Sequence, residues 1–154
     1  MNYIDLMHGL HSKTKRNYLE RVNDNEYPKI KAAELAKKWD YDYWDGSRKI
    51  NYGGYKYIPG RLTKLAKRII DIYNLTNKSS ILDIGCGKGF LLYEITLILP
   101  GISISGLDIS KYAIKNSKPE IKKYLKYGDA NNLPYEDNNF DLVLSINTLH
   151  NLYI

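Results

Sequence analysis

The chain has 154 residues and a mass of 17.8 kDa, enough for one domain with a core of its own and no more. Hydrophobic residues make up 44% and charged residues 26%, as in an ordinary globular protein, and no run approaches the roughly 20 apolar residues of a membrane span. The net charge of +6 is unevenly placed: residues 1–68 carry 15 Lys and Arg against 8 Asp and Glu, and residues 69–154 carry 8 against 9. A basic leading half suits either a solvated helical face or an anionic partner such as a sugar phosphate, a nucleotide sugar or RNA.

The start, Met1-Asn2-Tyr3-Ile4-Asp5-Leu6, lacks the basic-then-apolar order of a signal peptide, which predicts a cytoplasmic address. His8 and His11 have no partner at metal-ligand spacing, so no metal is expected. Tyr18, Leu19 and Val22 are spaced for a helix over Lys13–Asn23. Pro28 suits the first turn of a second helix through Lys38, with Ile30, Ala33, Leu35 and Ala36 apolar.

Residues 39–61 follow as an unusual stretch. Both tryptophans and five of the 15 tyrosines fall there among acids, bases and glycines, a composition that reads as a structured loop rather than a core element. Aromatic faces with polar tips suit sugar rings or an adenine, and arginine suits a carboxylate or phosphate through its forked donors. Trp44, Arg48, Tyr52, Tyr57 and Arg61 are therefore candidate acceptor-binding residues, against the alternative that the loop packs on itself.

Leu62–Tyr73 places Leu62, Leu65, Ala66, Ile69, Ile70 and Tyr73 on one helical face. The chain then enters Ser80-Ile81-Leu82-Asp83-Ile84-Gly85-Cys86-Gly87-Lys88-Gly89-Phe90, which reads as a buried parallel strand, a glycine turn and the start of a helix. Glycine lets the backbone bend sharply and lie against a ligand, while the free N–H groups of the following helix face the same place. A dinucleotide fingerprint would need a small residue at position 90, where Phe90 stands.

Phe90–Leu99 is an apolar helix stopped by Pro100 and Gly101, and Ile102–Asp108 is a second strand ending in an acid. A carboxylate there can accept hydrogen bonds from both hydroxyls of a ribose, although it could also cap the next helix. Tyr124–Tyr127 suggests strand three, followed by Gly128-Asp129-Ala130. Leu142–Ile146 is apolar at nearly every position, as a strand buried on both faces requires. The lone cysteine, Cys86, excludes a disulfide framework, and no P-loop or Ser-His-Asp pattern supports a kinase or hydrolase.

Asp83-x-Gly85-x-Gly87-x-Gly89, Asp108, Gly128-Asp129-Ala130 and Asn139-Phe140-Asp141-Leu142-Val143 before Leu149-His150 occur in one order. Together they resemble the class I S-adenosylmethionine-dependent methyltransferases, in particular the small-molecule, type 11-like branch. The likeness covers roughly residues 79–152. It implies an α/β fold with a Rossmann-like sheet in strand order 3-2-1-4, residues 62–154 as a partial cofactor domain, and residues 1–61 as an N-terminal extension of helices and aromatic loop. It implies S-adenosyl-L-methionine as cofactor and S-adenosyl-L-homocysteine (SAH) as product. Asp83, Gly85, Cys86, Gly87 and Gly89 would form the first wall of the site, Gly85 and Gly87 approaching the methionine part. Asp108 with Ile109 would take the ribose, Asp129 and Ala130 the adenine edge, and Ser145 the end of strand four.

The segment from Trp44 to Arg61 is also similar to an N-terminal signature of methyltransferases of bacterial surface-polysaccharide or sugar pathways. A small-molecule acceptor is expected, with neither membrane nor nucleic acid as partner, although a nucleic-acid methyltransferase and a non-catalytic cofactor-binding remnant remain rivals. An acceptor hydroxyl would need a base: His150 is the first candidate, with Asp45 and Tyr55 behind it. From Ser79 only 76 residues remain, about half the core that the family implies. The expectation is a truncated or split form, or a strand-four edge that pairs with a second copy or another chain.

Overall fold

The computed structural model describes residues 4–8, 19, 22–51 and 56–152, and of His150 the backbone alone. They form two compact units divided between Tyr57 and Ile58. The helix expected over Lys13–Asn23 lies for the most part outside the described residues.

In the first unit, Pro28 opens helix α1 (Lys29–Ala36), shorter at its end than the sequence suggested, with Ala32 buried. The loop that enters α1 is tied by Asp24, whose carboxylate accepts the Tyr27 N–H at 2.8 Å and meets Lys49 Nζ at 3.0 Å. Those contacts hold the Asp24 carboxyl below its ordinary pKa, the Tyr27 N–H most of all. The aromatic stretch contains a helical turn, α2 (Tyr41–Trp44), where a loop was expected. Asp40 caps it by accepting the Tyr41 N–H at 2.8 Å, which is why an acid just ahead of aromatic residues can start a helix there.

The second unit is an α/β sheet. Helix α3 (Thr63–Ile72) buries Leu65, Ala66, Ile69 and Ile70 of the stripe read from the sequence, while Leu62 and Tyr73 flank the helix and Tyr73 is exposed. Strand β1 (Ser80–Ile84) leads through the glycine turn into α4 (Phe90–Ile98). Strand β2 (Ser103–Asp108), α5 (Lys111–Lys115), a 3-10 turn (Lys122–Tyr124), β3 (Leu125–Tyr127), β4 (Leu142–Leu144) and a 3-10 turn (Leu149–Asn151) follow. All strand pairs are parallel and the order is β3-β2-β1-β4. Asp83 stands level with Gly106 on β2 and Leu144 on β4.

Helix α3 packs on α4. Ile69, Leu92 and Ile95 are fully buried, each contributing about 1.5–3 kcal/mol by leaving water. The one acid inside α4, Glu94, is 3% exposed and accepts the Thr63 hydroxyl at 2.6 Å, so the buried carboxyl has a hydrogen-bond partner. Strand β4 departs from expectation: Leu144 is buried, but Val143 is 52% exposed, so among the described residues one of its faces is open. No helix among them is long and apolar enough to cross a membrane.

Gly89 enters α4 in the left-handed region, with φ 73°, and a Cβ there would lie 2.5 Å from Ile121 Cδ1 and 2.8 Å from Leu125 Cδ1. Gly89→Ala should cost about 2–4 kcal/mol, from the strained backbone and the overpacked core together. Thermal melting followed by circular dichroism checks this; an unchanged midpoint would mean that Ile121 and Leu125 move aside freely.

Candidate functional site

The turn after β1 is held to β2 by backbone and side chain at once. The N–H groups of Gly85 and Cys86 donate to the Leu107 carbonyl at 2.7 and 3.1 Å, and the Gly87 N–H donates to Asp108 Oδ2 at 2.7 Å. The second carboxylate oxygen of Asp108 accepts the Ser110 N–H at 2.8 Å, while Ser110 Oγ caps α5 through the Ala113 N–H at 3.0 Å. Gly85, Gly87, Asp83 and Asp108 are thus brought together at the C-terminal ends of two neighbouring parallel strands, where open α/β sheets place ligands.

The missing Cβ of Gly85 has a neighbour the sequence did not indicate. With φ 79°, any side chain there would be strained, and its Cβ would collide with the side chain of Thr148, beyond β4. Cys86 turns its thiol inward: a Cβ on Gly106 would sit 2.7 Å from Cys86 Sγ. Burial, with Asp83 and Asp108 nearby, pushes that thiol well above its ordinary pKa and so favours the protonated form.

Asp83 and Asp108 project from one face of the sheet, since Asp83 is level with Gly106 and Asp108 lies two residues further along β2. They are 5% and 7% exposed. Burial first, then repulsion from Asp108, raises the Asp83 carboxyl to about 7. Burial also raises Asp108, but its two N–H donors oppose the rise. Asp108 therefore holds a negative charge more readily than Asp83, and a cationic group beside the pair would favour ionising Asp83 as well.

Around these acids, Ile109 is 43% exposed, an apolar side chain held in the open directly after Asp108. The Gly128 N–H donates to the Asp108 carbonyl at 3.0 Å, placing Asp129 and half-buried Ala130 at the same end of the sheet. Exposed Asp129 accepts the Asn131 N–H at 2.9 Å, which fixes its turn. Ser145, one residue past β4, has a buried hydroxyl with no hydrogen-bond partner; so has Tyr135, which the sequence reading passed over. An unpaired buried hydroxyl is costly and marks a place where a ligand or water supplies the partner. Thr148, Ser110 and Tyr135 are the residues that sequence reasoning missed; only Ser110, in N-cap position before an apolar helix, carried a local signal.

The remaining candidates are divided between the two units or lie outside the described residues. In the first unit Trp39, Tyr43 and Trp44 pack edge to face, with centroids 4.6 and 5.0 Å apart, and Trp44 Nε1 donates to the Trp39 carbonyl at 3.2 Å. Asp45 ends α2 with its N–H on the Tyr41 carbonyl, and Arg48 and Tyr57 belong to the same unit. Arg61 belongs to the second unit and is exposed ahead of α3. Tyr52 and Tyr55 lie outside the described residues. His150 lies in the 3-10 turn Leu149–Asn151 after β4, with only its backbone described.

Residues 75–154, just over half the chain, match the family described as "Methyltransferase domain". The chain belongs to the class I S-adenosylmethionine-dependent methyltransferases. It is 30% identical over 119 residues to norajmaline N-methyltransferase of Rauvolfia serpentina, an alignment that takes in 71% of this chain and 40% of that protein. It is 30% identical over 96 residues to 27-O-demethylrifamycin SV methyltransferase of Amycolatopsis mediterranei, covering 58% of this chain and 35% of the relative. The solved plantazolicin methyltransferase BpumL, in complex with a triazolic desmethylPZN analogue and SAH, superposes with a TM-score of 0.50 at 30% identity, over 74% of this chain and 45% of that one. The chain thus spans less than half the length of each.

The family's cofactor fits what the residues offer: a left-handed glycine turn, a buried carboxylate tied to it, and an apolar side chain beside that carboxylate. The raised Asp83 carboxyl also makes a prediction about stability. Its folded value of about 7 lies above the unfolded 3.8, so the folded chain binds more protons between those limits and loses stability as pH rises through them. Asp83→Asn should remove that slope, so that the variant melts above the wild type at pH near 8 and level with it near pH 4. Parallel pH profiles for the two proteins would show Asp83 ionised throughout.

Proposed function

We propose that the chain binds S-adenosylmethionine and transfers its methyl group to a small-molecule nucleophile. The observation that carries this is the union of the glycine turn with a buried acid, the 2.7 Å bond from the Gly87 N–H to Asp108. Each Asp108 oxygen has accepted one N–H and keeps a lone pair for a ribose hydroxyl. Ile109 offers an apolar surface to the nucleoside, and Asp129 with Ala130 an edge for the adenine. Ser145 offers its unpaired hydroxyl, and Asp83 a carboxylate whose ionisation a cationic methionine group would favour.

Bound S-adenosylmethionine supplies a methyl group already activated on a sulfonium. The protein's part is then positioning, holding the nucleophile in line at near-attack distance, which is the larger share of such a rate enhancement. Where the nucleophile is a hydroxyl, His150 takes its proton, with Asp45 and Tyr55 as the other candidates. The relatives are named for norajmaline and 27-O-demethylrifamycin SV, and for this chain the aromatic and arginine-bearing stretch from Trp44 to Arg61 favours a sugar or sugar-phosphate hydroxyl.

Calorimetric titration with SAH tests the cofactor site. Saturable binding is expected, with Asp108→Ala weakening it at least tenfold, because the substitution removes both ribose acceptors and leaves the Gly87 and Ser110 N–H groups without their partner. Absence of binding by a chain that circular dichroism shows to be folded would favour a non-catalytic remnant. For the base, His150→Ala should lower turnover on a hydroxyl acceptor by about 100-fold or more; a loss smaller than about threefold would remove His150 from that role.

A further inference from the structure

Charge in the second unit is segregated to a degree that the bulk figures hide. Residues 109–127 hold six lysines and one glutamate, whereas the rest of residues 69–154 hold two lysines and eight acids. Lys118 pairs with Glu120 at 3.4 Å. Lys111, Lys115, Lys122, Lys123 and Lys126 are exposed, and none meets a carboxylate among the described residues.

The fold gathers them along one edge. Helix α5 packs on β3, the outer strand of the sheet. At the end of that strand Lys111 Nζ lies 4.9 Å from the centre of the Tyr127 ring; just before its start, Lys122 Nζ donates to the Lys115 carbonyl at 2.7 Å and Lys123 Nζ lies 4.9 Å from the Tyr124 ring. Tyr124 and Tyr127 are 41% and 53% exposed. Lysine on a strand edge commonly guards against sheet-to-sheet association, but that accounts for Lys126 alone. Lys111 and Lys115 are on a helix, Lys122 and Lys123 on a 3-10 turn, and two exposed tyrosines invite association rather than prevent it. Like charges crowded on one edge repel, and an anionic partner offsets that repulsion.

We propose that the α5–β3 edge is a docking surface for single-stranded nucleic acid, with the lysines meeting phosphates and Tyr124 and Tyr127 stacking on unpaired bases. A basic track with interleaved aromatic faces is what sequence-tolerant single-strand binding uses. A duplex would give the tyrosines no free base. The surface is independent of methyl transfer, although β3 runs directly into Gly128 and Asp129, so a strand lying on this edge ends beside the cofactor residues.

Fluorescence anisotropy of a labelled oligouridylate decides the question, on variants first shown by circular dichroism to be folded. Contact with three to five phosphates predicts a log–log salt slope of about −2 to −3.5, or about a 20- to 100-fold loss of affinity between about 50 and 200 mM salt. The triple variant Lys122→Gln, Lys123→Gln, Lys126→Gln should flatten the slope by about two. The double variant Tyr124→Ala, Tyr127→Ala should weaken binding about tenfold or more at unchanged slope. No saturable binding at low salt, or binding that the lysine variant leaves intact, would overturn the proposal. So would tighter binding to heparin or to phosphatidylserine vesicles than to RNA, with the tyrosine variant indifferent.

Discussion

The second unit turns on one hydrogen bond, from the Gly87 N–H to the Asp108 carboxylate. It joins the end of β1 to the end of β2 where backbone pairing gives out, and it fixes the curvature of the glycine turn. Because the acceptor is a buried carboxylate, the bond is charge-assisted and cannot be exchanged for water without a large cost. Ser110 draws on the same carboxylate from the other side and caps α5 with its hydroxyl, so turn, strand and following helix share one anchor.

That anchor has a counterpart in Asp83. Two acids on one face of a parallel sheet cannot both be ionised cheaply, and the donors decide between them: Asp108 has two N–H groups and Asp83 has the deeper burial. The strain is local and depends on protonation, and a cation brought to the pair would relieve it. Asp83 is thereby the more readily protonated of the two acids at the glycine turn. Glu94 in α4 shows the other solution to a buried acid, a short hydrogen bond from a neighbouring helix.

Much of this was legible in the residues. The strand-turn-helix around Gly85–Gly89 follows from an apolar run, three glycines and a second apolar run, and the α3 stripe from a repeat at helical spacing. Asp108 could be placed because an acid closing a strand two elements after a glycine turn has a mechanical role. Strand β4 differs from its sequence pattern: an apolar run suits burial on both faces, but composition does not say whether anything lies on the Val143 side, which is exposed among the described residues. Within the aromatic stretch the helical turn Tyr41–Trp44 was not legible, because aromatic and glycine density signals a loop and the turn rests on the local Asp40 cap.

The sequence alone determined the order of strands and helices, the position of the glycine turn and the identity of its acids, because each rests on short-range periodicity, capping or backbone freedom. Only the tertiary structure decided why the glycines are needed. Gly85 makes room for Thr148 and Gly89 for Ile121 and Leu125, partners far away in the chain that parallel pairing brings alongside. It likewise decided that the Cys86 thiol faces Gly106 and that five lysines share one edge with two tyrosines. Spacing along a chain sets which face of its own element a residue occupies; packing of the elements sets what that face meets.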